Sequence, residues 1–170
     1  MLRFLALCAF GVHLASAGRA QAPQTLSVPA DSLRWELQGQ AKVATSHGRQ
    51  CLLLDGGIAL LKDFEMRDGV LDVDVETTAT RGFFGFDFRI DSEAANYEEV
   101  YLRQHKSGLP DAIQYTPVLR TGRNWQIYNG PGFTGAVEIP KDRWFHLRLE
   151  VIGAGKALRR EHAEARARDE

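Results

Sequence analysis

Two groups of side chains in this sequence have the types and spacing to do chemistry. Asp72-x-Asp74-x-Glu76 places three carboxylates two residues apart. In a strand, successive side chains alternate faces, so the three share one face. Paired carboxylates about 5 Å apart are what retaining glycoside hydrolysis needs. An ordinary solvated outer strand also alternates apolar with acidic residues, and that reading stands beside the catalytic one. The second group is larger. Tyr97, Glu99, Tyr101, Arg103 and His105 fall on one face of a strand-like run, with Glu98, Val100, Leu102 and Gln104 on the other. Asp87 and Arg89 alternate in the same way with Phe84, Phe86 and Phe88. If the two strands are neighbours, aromatic and charged side chains form one patch. Gln114, Gln126 and Tyr128 could extend it. Such patches bind sugars, stacking rings on their C–H faces and hydrogen-bonding their hydroxyls. Alternation opposite Val100 and Leu102 sets Tyr101 and Arg103 facing solvent when no ligand is present. The competing reading is a plain sheet face with cross-strand salt pairs.

These groups need strands to position them, and the sequence supplies the pattern. Gly69 to Glu76 alternates apolar with acidic residues, and Phe145, Leu147, Leu149 and Val151 alternate with His146, Arg148 and Glu150. Turn signals separate the runs at Gly56-Gly57, Asp68-Gly69, Ser107-Gly108 and Asn129-Gly130-Pro131-Gly132. From Leu33 to Gly153 the period is two, with no long helical periodicity. Many short strands at this spacing predict an all-β, antiparallel sandwich or barrel over residues 24–153.

The two ends read differently. Met1-Leu2-Arg3 is a short basic start, an apolar run follows, and Ala15-Ser16-Ala17 and Ala20-Gln21-Ala22 both fit a small-x-small cleavage site. Residues 1–17 are expected to be a signal peptide, with cleavage as late as residue 22, and the mature protein to be secreted or periplasmic. The apolar run is too short to span a membrane stably, so no membrane association is expected after cleavage. Residues 154–170 are dense in charge and alanine and lack an apolar stripe, which predicts a solvated helix or a disordered tail.

Composition narrows the function classes. The chain has 170 residues, 44% hydrophobic and 25% charged, with 21 basic residues against 22 acidic ones. That balance is ordinary for a globular protein and gives no basic face for nucleic acid. Removing residues 1–17 removes Arg3 and Cys8. Cys51 then remains alone, so no intrachain disulfide can form, and its apolar surroundings mark it as a small buried hydrophobe. The five histidines form no metal-ligand pair at short spacing, so no metal site is assigned. There is no phosphate loop and no nucleophile elbow.

The stretch from Gly69 to Gly153 resembles bacterial secreted proteins of the concanavalin A-like lectin/glucanase superfamily, in particular its LamG-like, glycoside-hydrolase-like domains. The resemblance rests on Phe86-Asp87-Phe88-Arg89, on Asn96-Tyr97-Glu98-Glu99-Val100-Tyr101-Leu102-Arg103 and on Gln114-Tyr115-Thr116-Pro117-Val118. It continues through Trp125-Gln126-Ile127-Tyr128-Asn129-Gly130-Pro131-Gly132-Phe133 and Trp144-Phe145-His146-Leu147, covering about half the chain. It implies a two-sheet jelly roll with carbohydrate as the default ligand, and it allows a structural calcium without naming ligands for it. It does not imply catalysis. Retaining family-16 glycoside hydrolases carry a similar alternating triple with Glu first as nucleophile and Glu last as acid/base; here Asp72 stands first. Related domains carry further strands after a segment like Val151-Ile152-Gly153, where this chain has its arginine-rich tail, as a truncated or frame-shifted reading frame would leave. Three functions follow as expectations: a non-catalytic glycan-binding module, a glycoside hydrolase using the Asp72 strand or the Asp87/Glu99 pair, or a truncated domain with no ligand.

Overall fold

A computed structural model describes residues 25–77, 81–120 and 122–153. The expected signal peptide and the charged tail lie outside the described residues. Among those residues strands take 48%, about twice the usual share, and there is no α-helix. The described chain is all-β and its sheets are antiparallel, as period-two alternation predicts.

The described residues up to Lys62 form one compact unit. It contains β1 (Trp35–Gly39), β2 (Lys42–Ser46), β3 (Arg49–Leu53) and β4 (Gly57–Leu61). β1 pairs with β4 and β2 with β3. The β2–β3 hairpin turns on His47 and Gly48, both at positive φ. Two-residue hairpin loops favour that conformation because its twist matches the strands it joins. Cys51 sits on β3 opposite Ala44 and is half-buried rather than fully buried.

The described residues from Asp63 onward form a second unit. Its strands are β5 (Gly69–Glu76), β6 (Phe83–Phe88), β7 (Tyr97–Arg103), β8 (Ile113–Leu119), β9 (Gly122–Arg123), β10 (Thr134–Gly135) and β11 (Trp144–Val151). Five of them make one sheet in the order β10-β8-β7-β6, with β9 also paired to β8. β5 and β11 make a separate pair along their whole length. Alternation directs Leu71, Val73 and Val75 of β5 and Phe145, Leu147, Leu149 and Val151 of β11 to one face. There they pack with Leu102, Ile113, Phe84 and Phe86 of the larger sheet in one cluster, and with Val100, Phe88 and Tyr115 in another. The two sheets of this unit thus share their apolar faces. Burying a side chain the size of Leu102 or Phe145 is worth about 1.5–3 kcal/mol, so these contacts decide which face of each strand turns outward.

Candidate functional site

With Phe84, Phe86, Val100, Leu102, Ile113 and Tyr115 committed to the core, the outer face of the large sheet takes the alternate residues. The register sets Phe83 opposite Arg103, Gly85 opposite Tyr101 and Asp87 opposite Glu99. It sets Tyr101 opposite Gln114, Glu99 opposite Thr116 and Tyr97 opposite Val118. β6 and β7 are therefore neighbours, as the patch requires. A cleft of about 280 Å³ opens on this face, lined by Phe83, Glu99, Tyr101, Arg103, Thr116 and Trp125.

Gln114 organises the cleft from below. Its side chain is 1% exposed. Oε1 accepts from the Tyr101 hydroxyl at 2.8 Å and from Nη2 of Arg103. Nε2 donates to the carbonyl oxygens of Trp125, at 2.7 Å, and Tyr128. One amide thereby ties the strand floor to the loop that carries Trp125. The indole belongs to a residue 46% exposed, and Phe83 on the facing strand is 60% exposed. Exposed rings on two sides of a polar floor are the arrangement on which sugar C–H faces stack. Gly85 makes room for it. A Cβ there would stand 2.9 Å from the Tyr101 Cβ and 3.0 Å from the Val100 carbonyl oxygen.

Tyr101 and Arg103 do not face open solvent, contrary to the expectation from alternation; each is 8% exposed. The Arg103 guanidinium donates to the Asp111 carbonyl at 2.6 Å and to the Tyr101 hydroxyl at 2.8 Å, and lies 4.9 Å from the Tyr101 ring centroid. The Phe83 ring lies 6.1 Å from the Tyr101 ring, and Asp111, Gln114 and Tyr101 surround the guanidinium.

Several expected residues lie elsewhere. β7 ends at Arg103, and Gln104–Lys106 form a single 3-10 turn, so the alternation expected through His105 stops short of it. The His105 ring meets Phe83 edge-on at 5.5 Å and is not part of the cleft lining. Arg89 lies past the end of β6 at φ +53°, and this left-handed turn takes it off the outward face. It donates to Glu98 at 2.9 Å, to the Gly153 carbonyl at 2.6 Å and to the Arg67 carbonyl. Glu98 also accepts from the Tyr115 hydroxyl at 3.2 Å. Burial, then the Glu98 carboxylate, push the Tyr115 phenol up to about 12. Arg89 is a clamp on the core side, not a ligand-facing residue. The Tyr128 ring packs against Phe133 at 5.2 Å and Tyr115 at 6.4 Å, so only its carbonyl serves the cleft. Gln126 is exposed in the loop, and Tyr97 and Asp87 lie on the correct face beyond the cleft lining. Phe83, Thr116 and Trp125 complete the cleft and were not among the expected site residues. Phe83 and Thr116 were legible in the alternation of their strands.

The three carboxylates of β5 form a different structure. Asp72 and Asp74 point away from the core, opposite Arg148 and His146 of β11. His146 Nδ1 lies 3.0 Å from Asp74 Oδ1 and its Nε2 lies 3.1 Å from Asp72 Oδ1. Arg148 donates to both Asp72 oxygens, at 2.9 and 3.2 Å. Hydrogen bonding to Asp74 first, then to Asp72, holds the His146 imidazole above its ordinary value, against the effect of partial burial. The outer face of β5 and β11 and the cleft face of β7 and β8 are opposite sides of two stacked sheets, which pack about 10 Å apart. The Asp72 strand therefore cannot serve a substrate held in the cleft.

Among the described residues no group of three or more His, Cys, Asp or Glu side chains is placed to hold a metal ion. Among the same residues no helix is long and apolar enough to cross a membrane. No family model matches this chain, and no curated protein or solved structure matches it.

Proposed function

We propose that this protein is an exported, non-catalytic carbohydrate-binding domain of the concanavalin A-like type, a two-sheet jelly roll that recognises glycan on the outer face of β7 and β8. The observation that carries this reading is the cleft: exposed Phe83 and Trp125 rings beside Glu99, Arg103 and Thr116. Ring stacking supplies the apolar contact, and the polar floor supplies donors and acceptors fixed in place by Gln114. Fixed polar groups bind without the entropy of ordering them first. Export follows from the basic start, apolar run and small-x-small sites of residues 1–22.

A glycan array probed with the exported domain tests this reading. Titration of the best glycan is then repeated with Trp125→Ala, which is expected to weaken binding by about 1–3 kcal/mol, the scale of losing an aromatic anchor. Trp125 is half exposed, so the variant should keep the stability of the parent. Retention of no glycan at all, or unchanged affinity in the variant, defeats the proposal.

One observation favours hydrolysis as a second reading. Asp87 and Glu99 stand in register on β6 and β7, where facing Cβ atoms are about 4.5–5.5 Å apart. The register puts two carboxylates on one face, the residue types glycoside hydrolysis uses, and Glu99 lines the cleft. Reducing-sugar release that disappears in Glu99→Gln would establish it; binding without release leaves the lectin reading.

A further inference from the structure

Arg103 is a nearly buried cation whose own partners are mostly neutral. Its side chain is 10% exposed. The oxygens it bonds are two amide carbonyls, those of Asp111 and the Gln114 side chain, and the Tyr101 hydroxyl. Its carboxylate contact among the described residues, Asp111 Oδ2, lies 4.0 Å away, at the outer limit of an ion pair. Lys106 holds that same oxygen at 3.1 Å and takes most of its charge. Two cations thus share one carboxylate at this end of the cleft. Three of the five guanidinium N–H groups have acceptors; Nε–H and one Nη1–H have none among the described residues. Burying a cation among neutral dipoles is costly, and a charged acceptor entering the site recovers that cost.

The other ionised side chain that lines the cleft is a carboxylate. Glu99 stands four residues along β7 from Arg103, which at about 3.3 Å per residue separates them by roughly 13 Å. A ligand lying along the strand therefore meets the guanidinium at one end, with the Phe83 ring beside it, and a carboxylate at the other. A cleft of about 280 Å³ is at the small end of ligand sites and suits the terminus of a chain rather than its interior. We propose, resting on the carbohydrate reading, that the cleft takes the acidic end of a glycan: a terminal uronic acid with its carboxylate on Arg103, its ring against Trp125, and hydroxyl donors directed at Glu99. Both Nη2–H groups are engaged by Tyr101 and Gln114, so the carboxylate takes a single charge-assisted bond from Nε–H or the remaining Nη1–H, and the distance to Glu99 keeps the two negative groups apart.

The test compares a uronic-acid-terminated oligosaccharide with its methyl ester, which has the same ring and no charge, by calorimetric titration against the exported domain. The acid is expected to bind at least about tenfold more tightly, with the gap narrowing as salt is raised. Arg103→Gln should remove the preference, and Arg103→Lys should keep part of it, because lysine retains the charge. Equal affinity of the unaltered domain for acid and ester overturns the proposal and leaves the carbohydrate reading standing. Binding of neither overturns this proposal alone, and the glycan array decides the carbohydrate reading separately. A preference for acid that survives Arg103→Gln places the anion elsewhere and also overturns it. The comparison on the unaltered domain decides the question even if the variants do not fold.

Discussion

The Tyr101 hydroxyl and the Gln114 amide meet at 2.8 Å across β7 and β8, both side chains buried. This bond joins a strand floor to a loop, because the other end of the same amide holds the Trp125 and Tyr128 carbonyls. The two walls of the cleft are therefore not independent.

Gln114→Leu should cost about 3 kcal/mol of stability by leaving buried carbonyls, a hydroxyl and a guanidinium short of partners. Gln114→Glu keeps the size and gives Arg103 a counter-ion, yet it cannot donate to the loop carbonyls. It should loosen the Trp125 loop more than it lowers stability. Urea denaturation and iodide quenching of tryptophan fluorescence separate the two effects. Parental stability in Gln114→Leu would show that the network is dispensable.

Arg89 combines a strained backbone with a clamp. A non-glycine residue at φ +53° costs about 1–2 kcal/mol, and the bonds to Glu98 and the Gly153 carbonyl outweigh it. Arg89→Ala loses the clamp and keeps the strain, whereas Arg89→Gly loses both. The alanine variant should be less stable than the glycine variant by about 1 kcal/mol, and both less stable than the parent. Differential denaturation reads this order, and its reversal would contradict the clamp. Neither variant should change glycan affinity, since Arg89 is outside the cleft lining.

The cross-strand group of His146, Asp72, Asp74 and Arg148 predicts a pH dependence. Asp74 and Asp72 raise the His146 value in the folded protein. Stability from this contact is then fully present below the ordinary histidine value and is lost as pH rises through the raised one. The group is well exposed, so the loss should be about 0.5 kcal/mol or less after solvent screening. Thermal midpoints at about pH 5.5 and about pH 8.5 should differ less in His146→Gln than in the parent. An identical pH response in the variant would remove His146 from the account. Asp72→Asn belongs to the same face and should leave glycan binding unchanged.

Alternation by itself determined the strands and their sides. Val73, Val100, Leu102, Phe145 and Leu147 could be assigned inward, and Asp72, Glu99, Tyr101 and His146 outward, because period two is a local property of extended backbone. The same pattern set Asp72 and Asp74 on one face, and only the β5–β11 register showed that His146 and Arg148 occupy them. Other outcomes depended on distant segments. Tyr101 and Arg103 are outward residues that became buried among Phe83, Asp111 and Gln114, and no periodicity encodes what covers a face. Arg89 left its expected side through a single left-handed residue, which favourable contacts 22 and 64 positions away stabilise. His105 left its strand where a 3-10 turn replaced extended backbone. Local sequence decides which way a side chain points when the strand continues; packing of remote chain decides whether the strand continues and whether that direction leads to water.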